Sequence, residues 1–168
     1  MIKLIFNDRI QIEVDNMYLK SFLEQYNNKK IKIYVDMDGV IADYILGEAS
    51  NYDKKRPLLT SISKLEEISK MDNVELYIFS ATRKSEGIEQ KHIWLDEYAP
   101  FFKRENRIII SREENNFTKS STLKALYMNN LERDGSILIV IDDDPRNLKE
   151  IRETNEDVVL LKDTALID

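Results

Sequence analysis

The sequence contains no cysteine, one histidine and one tryptophan, and its 168 residues include only four glycines and three prolines. The absence of cysteine excludes disulfides, thiolate nucleophiles and thiolate metal sites. It is also typical of a reducing compartment, so we expect a cytoplasmic protein. No apolar run approaches the roughly 18 residues that a membrane-spanning helix needs, and the N-terminus shows no signal-peptide pattern. We therefore expect no membrane partner.

The composition that is present is typical of a folded domain. Hydrophobic residues make up 42% of the chain and charged residues 33%, so the sequence can bury a core and does not have the bias of a disordered chain. Its length predicts a single substantial core. The net charge of −6 does not favour extended contact with a nucleic-acid backbone, although a local basic patch is compatible with it.

The first 30 residues form a separate section in the predicted organisation. Two short apolar runs, at 2–6 and 9–14, predict a β-hairpin. The polar pair at 15–16 can cap a helix that reaches about Tyr26. We predict that residues 1–30 are a hairpin-and-helix appendage. Its apolar side packs either on the main sheet or on another subunit. The sequence therefore leaves open whether the protein forms an oligomer.

Strands and helices alternate through the rest of the chain. A strand, a helix and a second strand in this order fold into a right-handed parallel unit, so the pattern predicts a parallel α/β sheet covered by helices. β-branched runs predict strands at 31–35, 74–79, 107–110, 137–141 and 158–161. Amphipathic stretches predict helices at 59–70, 86–98, 120–131 and 145–152.

Polar residues suited to binding metal and phosphate directly follow several of these strands. Asp36 and Asp38 follow the first strand, Ser80 follows the second, and Asp142–Asp143 follow the fourth. Because the carboxyl ends of parallel strands meet at one edge of the sheet, we expect these side chains to converge there. Carboxylates are ligands that Mg²⁺ prefers, and Gly39 suits the tight turn after the first pair.

With these residues in view, the chain resembles the haloacid dehalogenase (HAD) superfamily of phosphohydrolases over about residues 31–161. The resemblance implies an α/β, HAD-like Rossmann-type three-layer fold with a mainly parallel sheet, and a catalytic domain at 31–168. It rests on four motifs in order: DMDGV at 36–40, Ser80 in YIFSAT, Lys119 in TKSSTLKAL, and Asp142–Asp143 in IDDDP. Within the superfamily, the chain is similar to the 5′(3′)-deoxyribonucleotidases. The similarity rests on DMDGV, on the IDDDP ending and on the Lys91–Trp94–Tyr98 pattern.

The resemblance implies a metal site and a covalent mechanism. Mg²⁺ is expected on Asp36, on the backbone carbonyl of Asp38 and on Asp142, with Asp143 supporting its water shell. Asp36 is expected to attack phosphorus and form an aspartyl-phosphate. Asp38 is expected to protonate the leaving oxygen and then to take a proton from water.

The resemblance also implies a phosphate-binding set. Ser80 and Lys119 are expected to hold the phosphoryl oxygens. Lys119 is preferred because it opens its helix, whereas Lys124 is expected to be a solvated helix lysine and Lys91 a weaker competitor. The expected substrate-binding residues are Ser80, Ala81, Thr82, Arg83 and Lys119.

Several neighbouring residues have a structural interpretation beside the functional one. His92 lies in the middle of a predicted helix and is expected to be structural, and Asp144 is expected to be a solvated turn residue. Arg83 and Lys84 either reach a substrate phosphate or are surface charges.

The segment from Asp43 to Pro57 leaves only a minimal cap, because it is too short for a bundle of helices over the site. The expected activity is hydrolysis of a phosphorylated small molecule, in the manner of a nucleotidase. Two alternatives remain: a phosphatase acting on polynucleotide ends, and a non-catalytic module that binds metal or phosphate. A receiver domain is rejected, because it needs an aspartate where the middle strands end in Ser80 or Ser111.

Overall fold

The computed structural model describes residues 2–6, 10–14, 19–44 and 51–167 of the chain. Over these residues the chain forms strands and helices in the predicted alternation. The strands are β1 (Ile2–Phe6), β2 (Ile10–Val14), β3 (Ile31–Val35), β4 (Val74–Thr82), β5 (Arg107–Ser111), β6 (Ile137–Asp142) and β7 (Val159–Lys162). The α-helices are α1 (Leu19–Gln25), α2 (Leu59–Ile68), α3 (Glu86–Tyr98), α4 (Ser120–Asn130) and α5 (Pro145–Thr154).

The main sheet has five parallel strands in the order β5-β4-β3-β6-β7. The chain adds β4 and β5 on one side of β3 and then crosses to add β6 and β7 on the other. Such a change of direction opens a crevice at the carboxyl ends of the central strands, which is where α/β proteins bind ligands. The predicted parallel α/β fold is confirmed.

Alternate residues of the central strands point to opposite faces of the sheet, and each face is covered by helices. Ile31, Ile33 and Val35 of β3 join a core with residues of α1, α2 and α3. Tyr34 joins a second core with Phe79 and residues of α4 and α5. Because each face buries large apolar side chains, each worth roughly 1.5–3 kcal/mol when fully buried, the helices pack on both sides in three layers.

The strand β4 is longer than the sequence indicated. Its apolar run ends at Phe79, and a strand was predicted only to that residue. The structure continues it to Thr82 because β5 pairs with Ile78–Thr82 and satisfies the backbone of the polar residues. Ser80 therefore lies inside a strand rather than after it.

The N-terminal strands confirm the predicted hairpin, and they form a two-stranded antiparallel sheet of their own. The predicted turn and the capping pair at 15–16 lie outside the described residues. Leu19, Phe22 and Leu23 of α1 are buried in the same core as the main sheet. The division at residue 30 stays a prediction. No helix in the described ranges is long and apolar enough to cross a membrane.

Candidate active site

The chain turns sharply at the end of β3 and thereby presents two aspartates at the crevice. The backbone N–H groups of Ile41 and Ala42 both donate to the carbonyl of Met37, at 3.0 and 2.9 Å, and Gly39 donates to Ala42 at 2.8 Å. Gly39 adopts φ of +78°, a conformation in which a Cβ atom is costly. This compact loop fixes Asp36 at the strand end and Asp38 two residues later.

Gly39 is also required by its contact with the second acidic cluster. A Cβ atom at position 39 would lie 2.1 Å from Oδ2 of Asp143, well inside van der Waals contact. The two loops approach this closely because β3 and β6 are neighbouring strands in register, so their ends meet. The absent side chain leaves the space that the Asp143 carboxylate occupies.

Asp36, Asp142 and Asp143 bring one carboxylate oxygen each within 4.8 Å of one another. Burial, and then the negative charge of Asp36, raise the pKa of Asp142 to about 6 and that of Asp143 also to about 6. Crowded carboxylates of this kind are relieved by a bound cation or by uptake of protons. The predicted convergence of the acidic residues of the first and fourth motifs is present in the structure.

The lysine beside this cluster is Lys124, and the expectation of a solvated lysine there was wrong. Its side chain is 1% exposed, and its Nζ lies 2.9 Å from Oδ1 of Asp36 and 2.7 Å from Oδ2 of Asp142. Burial alone would lower the pKa of Lys124, but the charges of Asp36 and Asp142 overcome that effect and raise it. Lys124 therefore carries its charge next to the two aspartates.

Lys119 does not reach the aspartates in the structure. It stands at the N-cap of α4 and is exposed, beside a depression of about 520 Å³ in the surface. Lys119 precedes the first turn of α4, whereas Lys124 lies on the buried stripe of that helix with Ser121 and Met128. Of these two lysines, Lys124 is the one that contacts Asp36 and Asp142, and the phosphate-binding role of Lys119 stays a prediction.

The oxygens of Asp142 are already occupied by hydrogen bonds. Oδ1 accepts from the Asp144 backbone N–H at 2.9 Å and from Asn147 Nδ2 at 3.0 Å. Oδ2 accepts from Lys124 at 2.7 Å and from the same Asn147 nitrogen at 2.9 Å. Each carboxylate oxygen has about two lone-pair sites, so Asp142 is saturated. Asp143, by contrast, is half-buried and lines a cleft at this end of the sheet.

Asp38 has a different environment from its neighbour Asp36, since both of its oxygens face lysines. Lys91 Nζ donates to Oδ2 at 2.9 Å, and Lys55 Nζ contacts Oδ1. Burial alone would raise the pKa of Asp38, but Lys91 and then Lys55 overcome it and lower the pKa to about 2. The side chain of Asp38 lies with these lysines and outside the acidic cluster.

The second motif lies at the wall of the cleft. Ser80 is fully buried, and its Oγ lies 2.7 Å from Lys91 Nζ. Ala81, Thr82 and Arg83 line a cleft of about 870 Å³, together with Asp36, Asp38, Lys84, Lys91, Lys124 and Asp143. Of the predicted substrate-binding set, the structure therefore places all but Ser80 and Lys119 on the surface of this cleft.

His92 and Asp144 remain outside the acidic cluster. Burial, and then Arg104 and Arg107, lower the pKa of His92, which is not among the residues that line the cleft. Asp144 does more than occupy a solvated turn, because it caps α5 by accepting from the Arg146 backbone N–H at 2.9 Å. Pro145 stands at the first position of that helix, as predicted.

The sequence analysis considered Lys91 and Lys124 but did not predict that they are buried, although the sequence contains a signal for their burial. Lys91 occurs between Gly87 and Trp94 on the buried side of α3, and Lys124 lies at the same kind of position on α4. A charged side chain on a buried helix stripe is rarely stable unless it meets an opposite charge. Lys55 offers no such signal, because its short segment has no periodicity.

Comparison with solved structures shows a similar fold in two other proteins. A chain of the Pnkp1/Rnl/Hen1 RNA repair complex aligns with a TM-score of 0.59 and 14% identity, over 80% of this chain and 43% of that one. The present chain thus spans less than half of that relative. The D,D-heptose 1,7-bisphosphate phosphatase from B. bronchiseptica, complexed with magnesium and phosphate, aligns with a TM-score of 0.54 and 15% identity, over 82% and 95%.

Comparison with curated protein sequences gave no match. The similarity to deoxyribonucleotidases therefore stays a prediction. The family model of the NLI interacting factor-like phosphatases matches residues 10–156, which is most of the chain and includes every element from β2 to α5. This match confirms the resemblance to the HAD superfamily of phosphohydrolases, and the chain belongs to the NLI interacting factor-like phosphatase family of that superfamily.

Proposed function

We propose that this phosphatase is a Mg²⁺-dependent phosphomonoester hydrolase that acts through an aspartyl-phosphate on Asp36. The observation that carries the proposal is the environment of Asp36. Its carboxylate lines the cleft, 2.9 Å from the ammonium of Lys124 and within 4.8 Å of Asp142 and Asp143. A carboxylate nucleophile beside a fixed positive charge is suited to attack an anionic phosphate, which otherwise repels it.

The donor set fits a divalent cation. Three carboxylates face one ammonium, a formal excess of two negative charges that a single divalent ion would neutralise. Asp142 is saturated by hydrogen bonds, so we assign direct ligation to Asp36, to Asp143 and to the Asp38 carbonyl, with Asp142 holding Lys124 in place. This exchanges the roles predicted for Asp142 and Asp143. When bound, the ion would offset charge on the phosphoryl oxygens.

The side chains of the chain supply the two chemical steps. In the first, an Asp36 oxygen forms a bond to phosphorus while the bond to the leaving oxygen breaks, and Asp38 gives that oxygen a proton. Asp38 must take up this proton beforehand, because the two lysines hold it ionised in the free protein, and the negative charge of a bound phosphate would favour that uptake. In the second, Asp38 takes a proton from a water molecule that attacks phosphorus, which releases phosphate and restores Asp36. Lys124 lies close enough to Asp36 to offset the charge that develops in both steps.

The substrate that we propose is a phosphorylated small molecule, with a nucleotide as the first candidate. A cleft of about 870 Å³ is large enough for one, and Arg83, Lys84, Arg112 and Arg146 add positive charge around it. A polynucleotide end is the second candidate. The described part of the cap contains only a 3₁₀ turn at Tyr52–Lys54, and an open, cationic rim suits a substrate with further phosphates.

The test is release of phosphate from mononucleotides and from oligonucleotides phosphorylated at the 3′ or 5′ end, with Mg²⁺ or with EDTA. We expect activity only with Mg²⁺, and none from a folded Asp36→Asn variant, which keeps the shape but loses the nucleophile. Preference for the oligonucleotides would favour the second substrate. Normal turnover by Asp36→Asn would contradict the covalent mechanism, and activity in EDTA would contradict the metal site.

A further inference from the structure

Two buried lysines from separate parts of the chain hold the carboxylate of Asp38. Lys91 of α3 donates to Oδ2 at 2.9 Å, and Lys55, from the segment between β3 and α2, contacts Oδ1. Their side chains are each 1% exposed. Burying an ammonium is costly, and apolar residues of similar volume often stabilise a fold as well. We call this arrangement, Lys55–Asp38–Lys91, the two-lysine clamp.

Lys91 uses all three of its protons in this arrangement. Besides Asp38, it donates to Ser80 Oγ at 2.7 Å and to the carbonyl of Ala81 at 2.9 Å. A lysine ammonium has three donors and no acceptor, so Lys91 has none left for a substrate. Because Ser80 Oγ accepts a hydrogen bond from Lys91, the hydroxyl's own proton is free to be donated to another acceptor. Lys91 thus sets the position of Asp38 and the direction in which Ser80 can donate.

Lys55 lies in the short segment that follows β3, and this segment is hydrogen-bonded to α3. The indole Nε1 of Trp94 donates to the Lys55 carbonyl at 3.0 Å. The buried ring of Tyr52 lies 4.8 Å from the Nζ atoms of both lysines, within range of a cation–π contact. The clamp therefore depends on docking of the cap segment as well as on α3.

We propose that Lys91, supported by Lys55, is a positioning residue of the phosphatase reaction: it holds the Asp38 carboxylate beside the phosphoryl group and is itself fixed by Ser80 and Ala81. This inference rests on the proposed function, in which Asp38 transfers the proton of the leaving oxygen. A group that aligns a proton donor matters most when the leaving oxygen needs that proton. Misalignment by about 1 Å can cost on the order of 100-fold in rate.

The experiment compares an alkyl phosphate with p-nitrophenyl phosphate, whose leaving group departs without protonation. We expect Lys91→Met to lower kcat on the alkyl ester about 100-fold with KM within a few-fold, and to lower kcat on the aryl ester far less. Lys55→Met should act in the same direction. Because both lysines hold one carboxylate, the double variant should lose less than the product of the two single effects. Lys103→Met, at an exposed lysine, is the matched control.

Equal losses on the two esters, or independent effects of the two lysines, would overturn the positioning role while leaving the proposed function intact. If the wild-type protein with Mg²⁺ hydrolyses neither ester, the proposed function fails and the inference falls with it. Thermal melting verifies that each variant is folded. If Lys91→Met does not fold, the two esters are compared in Lys55→Met and Lys91→Arg instead. Lys91→Arg keeps the charge, so its kcat on the alkyl ester should fall less than that expected for Lys91→Met.

Discussion

At the scale of single residues, the site depends on Gly39 because this residue has no side chain. Gly39 combines a positive φ of +78° with the closest approach of the two acidic loops, so two separate penalties apply to any replacement. The first is backbone strain, roughly 1–2 kcal/mol for a residue with a Cβ atom. The second is displacement of Asp143, whose Oδ2 would lie 2.1 Å from the new atom.

Gly135 allows these two penalties to be separated. It has nearly the same φ, +84°, but a Cβ atom there would meet no atom within 4 Å. We predict that Gly39→Ala and Gly135→Ala both lower the melting temperature, and that only Gly39→Ala weakens binding of Mg²⁺. Calorimetric titration with Mg²⁺ measures this directly. Equal Mg²⁺ affinity in Gly39→Ala and the wild type would show that Asp143 is not a ligand.

At the scale of an element, α4 decides which lysine serves the site. Lys119 stands at its N-cap, while Lys124 lies one turn and a half further, on the stripe that packs against the sheet. We predict that Lys124→Met lowers kcat by about 100-fold or more, since removal of one charge-stabilising group typically costs 10²–10³. Lys119→Met should change kcat by only a few-fold. Steady-state kinetics on one phosphate ester, at saturating Mg²⁺, checks both.

The Lys124→Met variant also leaves buried carboxylates without their counter-charge, so its stability must be followed. Breaking a buried ion pair costs about 3–5 kcal/mol, and Mg²⁺ should restore part of that loss. Lys124→Arg keeps the charge and separates the electrostatic effect from the geometric one. A Lys119→Met variant with the larger kinetic defect would return the phosphate-binding role to Lys119.

The elements themselves were predictable, because hydrophobic periodicity encodes them locally. The strand at Ile31–Val35 and the helix at Glu86–Tyr98 have the bounds that the sequence predicted. The extension of β4 to Thr82 was not predictable, because it depends on pairing with a strand far along the chain. The same limit applies to Lys124, since its partners Asp36 and Asp142 come from other elements.

At the scale of the whole molecule, the crowded carboxylates of the site should make the free energy of unfolding depend on pH. Asp142 and Asp143 have pKa values of about 6 in the folded protein, against an ordinary value of 3.8. Between these values the folded protein binds more protons than the unfolded chain, so its stability falls as pH rises through this window. Asp38 acts in the opposite sense, and its contribution is lost only as pH falls from 3.8 towards about 2.

Mg²⁺ should reverse the loss of stability, because it binds the ionised carboxylates of the folded protein and not the unfolded chain. We predict a small rise in melting temperature with Mg²⁺ at about pH 5 and a larger one at about pH 7.5. At a concentration of 100 Kd the stabilisation is about 2.7 kcal/mol, or roughly 5–11 °C for a protein of this size. Differential scanning calorimetry with Mg²⁺ or EDTA at both pH values measures it. Asp143→Asn should abolish most of the difference. The control is Asp144→Ala, which removes the cap of α5 and the ion pair with Arg146; it should lower the melting temperature and leave the Mg²⁺ response intact. A Mg²⁺ response of the same size at both pH values would mean that the crowded carboxylates are not the site of binding.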